Sequence, residues 1–395
     1  MAKTKERLVL ATLLVGMFLT VTVTVFFSVF LIDIAKTFEV TIGTATLLGL
    51  ISQLIGLFLG IAMGALTLRF RHKLLYLFGA AMYGAGVLLY FFAPDFQTLL
   101  LAIFFLGIGG ATIAIMVYSL IGGLFPLEKR GWAIGLTLVA TQVAYVFLPL
   151  LSVLIGQIAG WRSVLLLFIF PTSIVCLILG FLFIPSKSSH EQTPKKSVYL
   201  NAFKEVFLKK SAVACLVSRS LLVLIVVVPL FSVSFYRMVF FISAGQGGVF
   251  YSIAAVGALF GAVAGGWLVN RLGRKPIAVV APIVSGIAAI LFTFMPVVGV
   301  SVALWVMSAF FGAIAWVGLI GLTLEQVPSF RASMMSANET FQALGIIIGT
   351  IIGGSALNVL QPQASNFQFL MTILGTGGIA SGVIILLLAK DPCTQ

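Results

Sequence analysis

Negative charge is what this sequence has least of. Ten Asp and Glu stand against 23 Lys and Arg in 395 residues, and the four types together make up 8% of the chain. A soluble domain carries about a quarter charged residues, so this composition excludes an ordinary water-soluble fold. Cysteine and histidine are equally sparse, at three and two. Cys176 and Cys215 fall inside apolar runs, Cys393 lies in the tail, and His72 and His190 fall in polar connections, so no disulfide framework or metal cluster is implied. Paired catalytic acids, a nucleophile beside a base and the glycine-rich phosphate loop of nucleotide hydrolases are also missing, which argues against an enzyme, against ATP-driven pumping and against any cofactor.

Hydrocarbon is what is plentiful, with 61% hydrophobic residues and 35 Phe. About 20 helical residues cross the roughly 30 Å of hydrocarbon in a bilayer, and twelve runs are long enough. They cover 8–32, 42–67, 74–93, 97–124, 132–156, 163–184, 211–236, 246–269, 277–295, 298–325, 333–358 and 367–389. Six lie on each side of a hydrophilic stretch. The expected organisation is therefore a six-helix domain over 1–184, a linker over 185–210 with a short amphipathic helix near Tyr199 to Leu208, and a second six-helix domain over 211–395. Strands are not needed, because open sheet edges cannot face lipid.

Basic residues assign the sides. Nineteen of the 23 fall on the side of the two termini, only Lys36, Arg162 and Arg237 fall opposite, and Arg219 alone lies within a run. The positive-inside bias places both termini in the cytoplasm of a multi-pass cell-membrane protein. It also accounts for the net charge of +13 as topology, without a nucleic-acid partner. Lys3, Lys5 and Arg7 before the first run imitate a signal peptide, but an apolar stretch from Leu8 to Ile32 is too long for one.

The chain also repeats itself. GWLVNRLGRK from Gly266 to Lys275 has a weaker copy, GALTLRFRHK from Gly64 to Lys73, 202 positions earlier, and the same offset pairs Pro94 with Pro296 and Pro126 with Pro328. Two fused copies of one helical unit are a secondary-transporter pattern. These loops resemble the signature of the major facilitator superfamily, Gly-x-Leu-x-Asp-Arg-x-Gly-Arg-Arg/Lys. Gly266, Leu268, Arg271, Gly273, Arg274 and Lys275 match it, with Asn270 in place of the acid. Gly64, Leu66, Arg69 and Lys73 match in the first copy, where Leu68 and Arg71 depart from it. The resemblance implies an all-α membrane protein with twelve transmembrane helices in two pseudo-symmetric six-helix domains. It further implies a gate latch built from Gly64, Arg69, Lys73, Gly266, Asn270, Arg271, Gly273 and Arg274, in which the cations meet carboxylates or helix C-termini. Simple satisfaction of the positive-inside rule is the alternative for the first copy.

Drug-exporting members carry two further patterns that are reduced here. Gly135 and Pro149 remain of the fifth-helix pattern, and Leu99, Gly107 and Gly109 of the fourth, where Ile103 and Leu106 replace its arginine and glutamine. Intramembrane charge is correspondingly scarce. Glu339, eight residues after Arg331, is a candidate proton-coupling group or a helix-start acid helped by Asn338. Arg219 either faces the cavity, where it favours an anionic substrate, or snorkels to the cytoplasm, and the two charges are expected to be able to pair. Asp33 and Glu325, at the ends of the first and tenth runs, read as interface acids. By the resemblance, the cavity-lining set is Gln53, Tyr118, Gln142, Tyr145, Phe231, Tyr251, Trp316 and Gln342 together with Arg219.

The functional expectation is a monomeric secondary transporter in the lipid bilayer. It exports a small lipophilic or amphipathic substrate by alternating access, with protons as the candidate coupling ion. An organic-anion carrier using Arg219 is the alternative within transport. A receptor or lipid-handling protein with the same fold is the alternative outside it.

Overall fold

The computed structural model describes residues 3–125, 127–185, 205–327, 331–359 and 364–391. Every regular element among them is helical. Twelve long helices correspond to the twelve apolar runs. In the first half they are α1 (Lys3–Thr37), α2 (Leu47–Arg69), α3 (His72–Phe92), α4 (Phe96–Leu124), α5 (Leu127–Ala159) and α6, which opens with a π-helical turn at Leu165–Ile169 and continues as Phe170–Phe183. In the second they are α7 (Lys210–Val239), α8 (Ala244–Leu272), α9 (Arg274–Leu291), α10 (Val298–Leu324), α11 (Arg331–Val359) and α12 (Ala364–Leu388). The chain divides into two compact units, Met1–Gln192 and Thr193–Gln395. The expected linker helix falls mostly outside the described residues; 205–208 at its end are helical.

The boundaries follow local chemistry. Asp95 caps α4 by accepting the Thr98 N–H at 2.7 Å, and Ser243 and Gln246 form a reciprocal capping box at the start of α8. The Thr98 hydrogen bonds hold the Asp95 carboxyl below the usual range. Gly273, at φ +87°, lets the chain turn from α8 directly into α9, a conformation that costs a side-chain-bearing residue dearly. Two boundaries differ from expectation. The second run breaks at Thr46, leaving a separate turn at Ile42–Ala45 capped by the Thr41 hydroxyl. The first helix continues to Thr37, so Asp33 sits inside its last turns and does not end it.

Each unit repeats the same packing plan. In the first, α1 packs on α4, α5 and α6, α3 on α4 and α6, and α2 on α4. Adding six to each label gives the neighbours in the second unit. Equivalent helix ends also keep the offset of the sequence repeat: α3 and α9 start at His72 and Arg274, and α4 and α10 start at Phe96 and Val298.

Several polar atoms inside these bundles are matched between helices, as a hydrocarbon surround favours, although the Tyr90 and Ser252 hydroxyls have no hydrogen-bond partner. Tyr76, Tyr83 and Tyr90 recur every seventh residue along one face of α3 and are buried against α1. Tyr76 donates to the Thr12 carbonyl at 3.0 Å, Tyr83 shares a hydrogen bond of 2.9 Å with Thr22, and Tyr90 meets Phe26 edge-on. In the second unit, Ser285 donates to the Ser308 carbonyl at 2.7 Å, and Tyr236 pairs with Ser301 at 2.9 Å inside a cluster with Phe235, Phe292 and Trp305.

Candidate functional site

Arg219 is the one charged side chain that the second unit encloses completely, with 0% exposure among the described residues. It lies nine residues into α7, about 13 Å along the helix from Lys210. Its neighbours in sequence fix it from both sides. Ser218 hydrogen-bonds the Ser381 hydroxyl on α12 at 2.6 Å, and Ser220 donates to the Phe341 carbonyl on α11 at 2.6 Å. Arg219 is thereby held where α7 is tied to two other helices, so its position follows from backbone anchoring as well as from its own contacts.

The guanidinium itself lies flat on an aromatic ring. Its Cζ stands 3.5 Å from the centroid of Trp316 on α10, and Nη2 donates to Gln342 Oε1 on α11. Nε and Nη1 are buried without a hydrogen-bond partner. A desolvated cation whose direct contacts are a ring face and a neutral amide, with the nearest carboxylate only within electrostatic reach, is costly, and its unused donors are chemically suited to an anion.

Glu339 stands one turn before Gln342 on α11. It is exposed, accepts the Asn338 side-chain N–H at 3.3 Å and lies within electrostatic reach of Arg219. The expected pairing does not form in this structure, where Nη2 is taken by Gln342. Asn338 is fully buried, and its Oδ1 has no partner. The sequence reading named Asn338 only as a helper of Glu339; the structure buries it one helical turn before Gln342 with an acceptor to spare.

The remaining cavity candidates are dispersed. Phe231 is wholly buried, its ring filling the space beside Gly353, and Tyr251 is nearly so, edge-on to Trp305 at 6.1 Å. Both are buried among side chains of the second unit. In the first unit, Tyr145 packs with Val25, Ala144 and Leu148, Gln53 and Gln142 are half-buried, and Tyr118 is exposed.

The repeated loops carry more definite contacts. Arg274 Nη1 stands 3.7 Å from Glu325 Oε1, tying the start of α9 to the end of α10, and the Arg274 stem lies along Gly321. Glu325 is thus an ion-pair partner as well as an end-of-helix acid. The adjacent Gln326 donates to the Lys390 carbonyl at 2.9 Å and accepts from Ser211 at 2.6 Å, so the end of α10 also gathers α7 and α12. Arg271 stacks on Trp267 at 4.4 Å, while Gly266 is half-buried in the last turns of α8. In the first copy, Lys73 donates to the Phe181 carbonyl at 2.7 Å, a cation at the C-terminus of α6. Gly64, Arg69 and Asn270 lie in helices, and their side chains fall outside the described set. Sequence reasoning missed the partners of Arg274 and Lys73 because they lie 51 and 108 residues away.

Comparison with known proteins agrees with this geometry. The profile of the Major Facilitator Superfamily matches residues 12–297 and 240–394. A curated relative from Bacillus subtilis (strain 168), the uncharacterized MFS-type transporter YcnB, is 27% identical over 125 residues, a match covering 32% of this chain and 26% of that protein. Among solved structures, a D-xylose-proton symporter superposes with a TM-score of 0.80 at 15% identity, covering 98% of each chain. The nucleoside transporter NupG gives 0.75 at 14% identity over 97% of this chain and all of that one. A bacterial homologue of the human lysosomal transporter Spinster, inward-facing and unoccupied, gives 0.72 at 17% identity over 98% and 96%. At these identities the likeness shows the fold.

Proposed function

The chain belongs to the major facilitator superfamily, and from that premise we propose that it moves a small amphipathic organic anion outward across the cell membrane, with Arg219 as the anchor for the anionic group. The observation that carries this reading is the buried guanidinium with two unpartnered nitrogens. Trp316 and Gln342 hold the group flat and leave Nε and Nη1 for cargo. A charge is retained at such depth against an insertion cost of about 2.5–3.5 kcal/mol, and intramembrane charges with that cost are as a rule functional.

The export direction rests on the chemistry of such a cargo. An amphipathic acid crosses a bilayer in its neutral form and accumulates as the anion on the side of higher pH, because the ionised form is expensive to desolvate. Removing it from the cytoplasm therefore needs a carrier. Glu339, exposed on the same helix as Gln342, is the proposed proton-coupling group, and the cytoplasmic placement of both termini follows from the basic bias.

The test is a thermal-shift panel that pairs aromatic and aliphatic carboxylates with their amides, followed by flux in proteoliposomes. Wild type is expected to be stabilised by an anion and not by its amide, and Arg219→Gln to lose that discrimination. Equal responses to anion and amide in both proteins would sink the reading.

A further inference from the structure

An apolar groove lies in the first unit, in the half of the chain that does not carry Arg219. It is a groove of about 550 Å³ with α1 as its floor, from Leu14 to Phe18, and α5 and α6 as its walls. Its lining is hydrocarbon except for Thr172, whose hydroxyl is spent on the Phe168 carbonyl at 2.7 Å. All of it lies within three membrane spans. An occupant can therefore neither accept nor donate a hydrogen bond there, and it must lie at the depth of the bilayer interior.

The two units differ at two positions that border the groove in the first. The offset of 202 residues that relates equivalent helix starts places Gly345 of α11 opposite Val143 of α5, and Gly377 of α12 opposite Val175 of α6. In the second unit a side chain at Gly345 would collide with the Ser220 backbone, and one at Gly377 with Leu221 and Leu224, so α11 and α12 settle onto α7 and onto each other. In the first unit Val143 and Val175 stand at those positions, α6 lies less closely on α1 than α12 does on α7, and Pro171 follows a π-turn at the start of α6. A gap of this size lined by apolar side chains forfeits dispersion contacts unless something fills it.

The source of the filling is set by the surroundings. Val143, Leu167 and Val175 are exposed, and the groove runs without a polar break into the exposed residues Phe147, Ile174 and Ile178. It is continuous with the surface that an intramembrane helix presents to lipid. We propose that the groove between α5 and α6 holds one acyl chain of a bilayer phospholipid, which supplies to the first unit the packing that direct helix contact supplies to the second.

The test uses full-length protein in vesicles of phosphatidylethanolamine and phosphatidylglycerol doped with a phosphatidylcholine that carries a diazirine in mid-chain. After photolysis, wild type is expected to give adducts concentrated on peptides containing 14–18, 140–143 and 167–175, above those on Phe260 and Val263, which are exposed apolar positions of α8. Ala140→Phe, which fills the groove, should reduce the groove adducts to the α8 level and leave the α8 adducts unchanged. Equal labelling of groove and α8 in wild type overturns the proposal. So does unchanged groove labelling in the filled variant. If Ala140→Phe does not fold, the wild-type ratio of groove to α8 adducts still decides the question, and Val175→Gly, which copies the second unit, is the second variant.

Discussion

Replacing Gln342 by Glu puts a carboxylate where a neutral amide oxygen now accepts from Arg219 Nη2. The change is nearly isosteric, so the fold of α11 and the stacking on Trp316 are expected to persist. A hydrogen bond to a charged group contributes about 1.5–3 kcal/mol where a neutral one contributes about 0.5–1.5, so the exchange strengthens the internal contact by roughly 1–2 kcal/mol. An anionic cargo must then compete with a tethered carboxylate for the same guanidinium, which corresponds to about 5- to 30-fold weaker binding. The site's net charge also falls by one, so a neutral analogue should lose much less. The assay is the concentration dependence of flux in proteoliposomes for an anion and its amide, with thermal unfolding as the control for folding. Anion transport of wild-type strength in Gln342→Glu, alongside its loss in Arg219→Gln, would refute the reasoning, because it would mean that Nη2 and its neighbours do not meet the cargo.

Three other outcomes are expected. Glu339→Gln should abolish the response of flux to an imposed pH gradient while leaving exchange at equal pH; gradient-driven flux that persists would remove Glu339 as the proton carrier. Arg274→Gln breaks the pair with Glu325, both partners of which are partly exposed, so the loss in stability should stay within about 0–1 kcal/mol, screened further by salt, and denaturant unfolding will show it. Asp95→Ala removes a cap that works only as the carboxylate. The folded state lowers the Asp95 pKa, so its contribution is full above the ordinary carboxylate range and is lost as pH falls through the lowered value. The Tm difference between variant and wild type should accordingly be present at neutral pH and vanish in strong acid; a difference that does not change with pH would disprove the charged cap.

The twelve helices were legible because burial in lipid demands long apolar runs, and the doubling was legible because Gly64 and Gly266 sit near the ends of equivalent helices at a fixed offset. What the pattern could not reveal was which polar atoms meet. The Glu325 carboxylate could be placed at a helix end, but its partner Arg274 could be found only once α9 and α10 were seen to lie side by side. Phe231 and Tyr251 have the residue types of a binding surface, yet aromatic rings on helices serve cores equally well, and their burial in the second unit could not be read from the pattern.

Arg219 shows where sequence and structure contribute different parts of one argument. Its charge within an apolar run marked it as unusual, and two outcomes followed from that alone: a side chain reaching the membrane edge, or one turned inward. Snorkelling requires the stem to extend toward water. The serines on either side settle which occurs, because Ser218 and Ser220 fix α7 against α12 and α11 while Trp316 covers one face of the guanidinium. Each of those partners lies about 100 or more residues away in sequence, at Ser381, Phe341 and Trp316. No local propensity encodes such a contact. A substitution that freed the flanks, such as Ser218→Ala with Ser220→Ala, would leave the charge in place but release its position, and anion discrimination should weaken even though the cation itself is untouched.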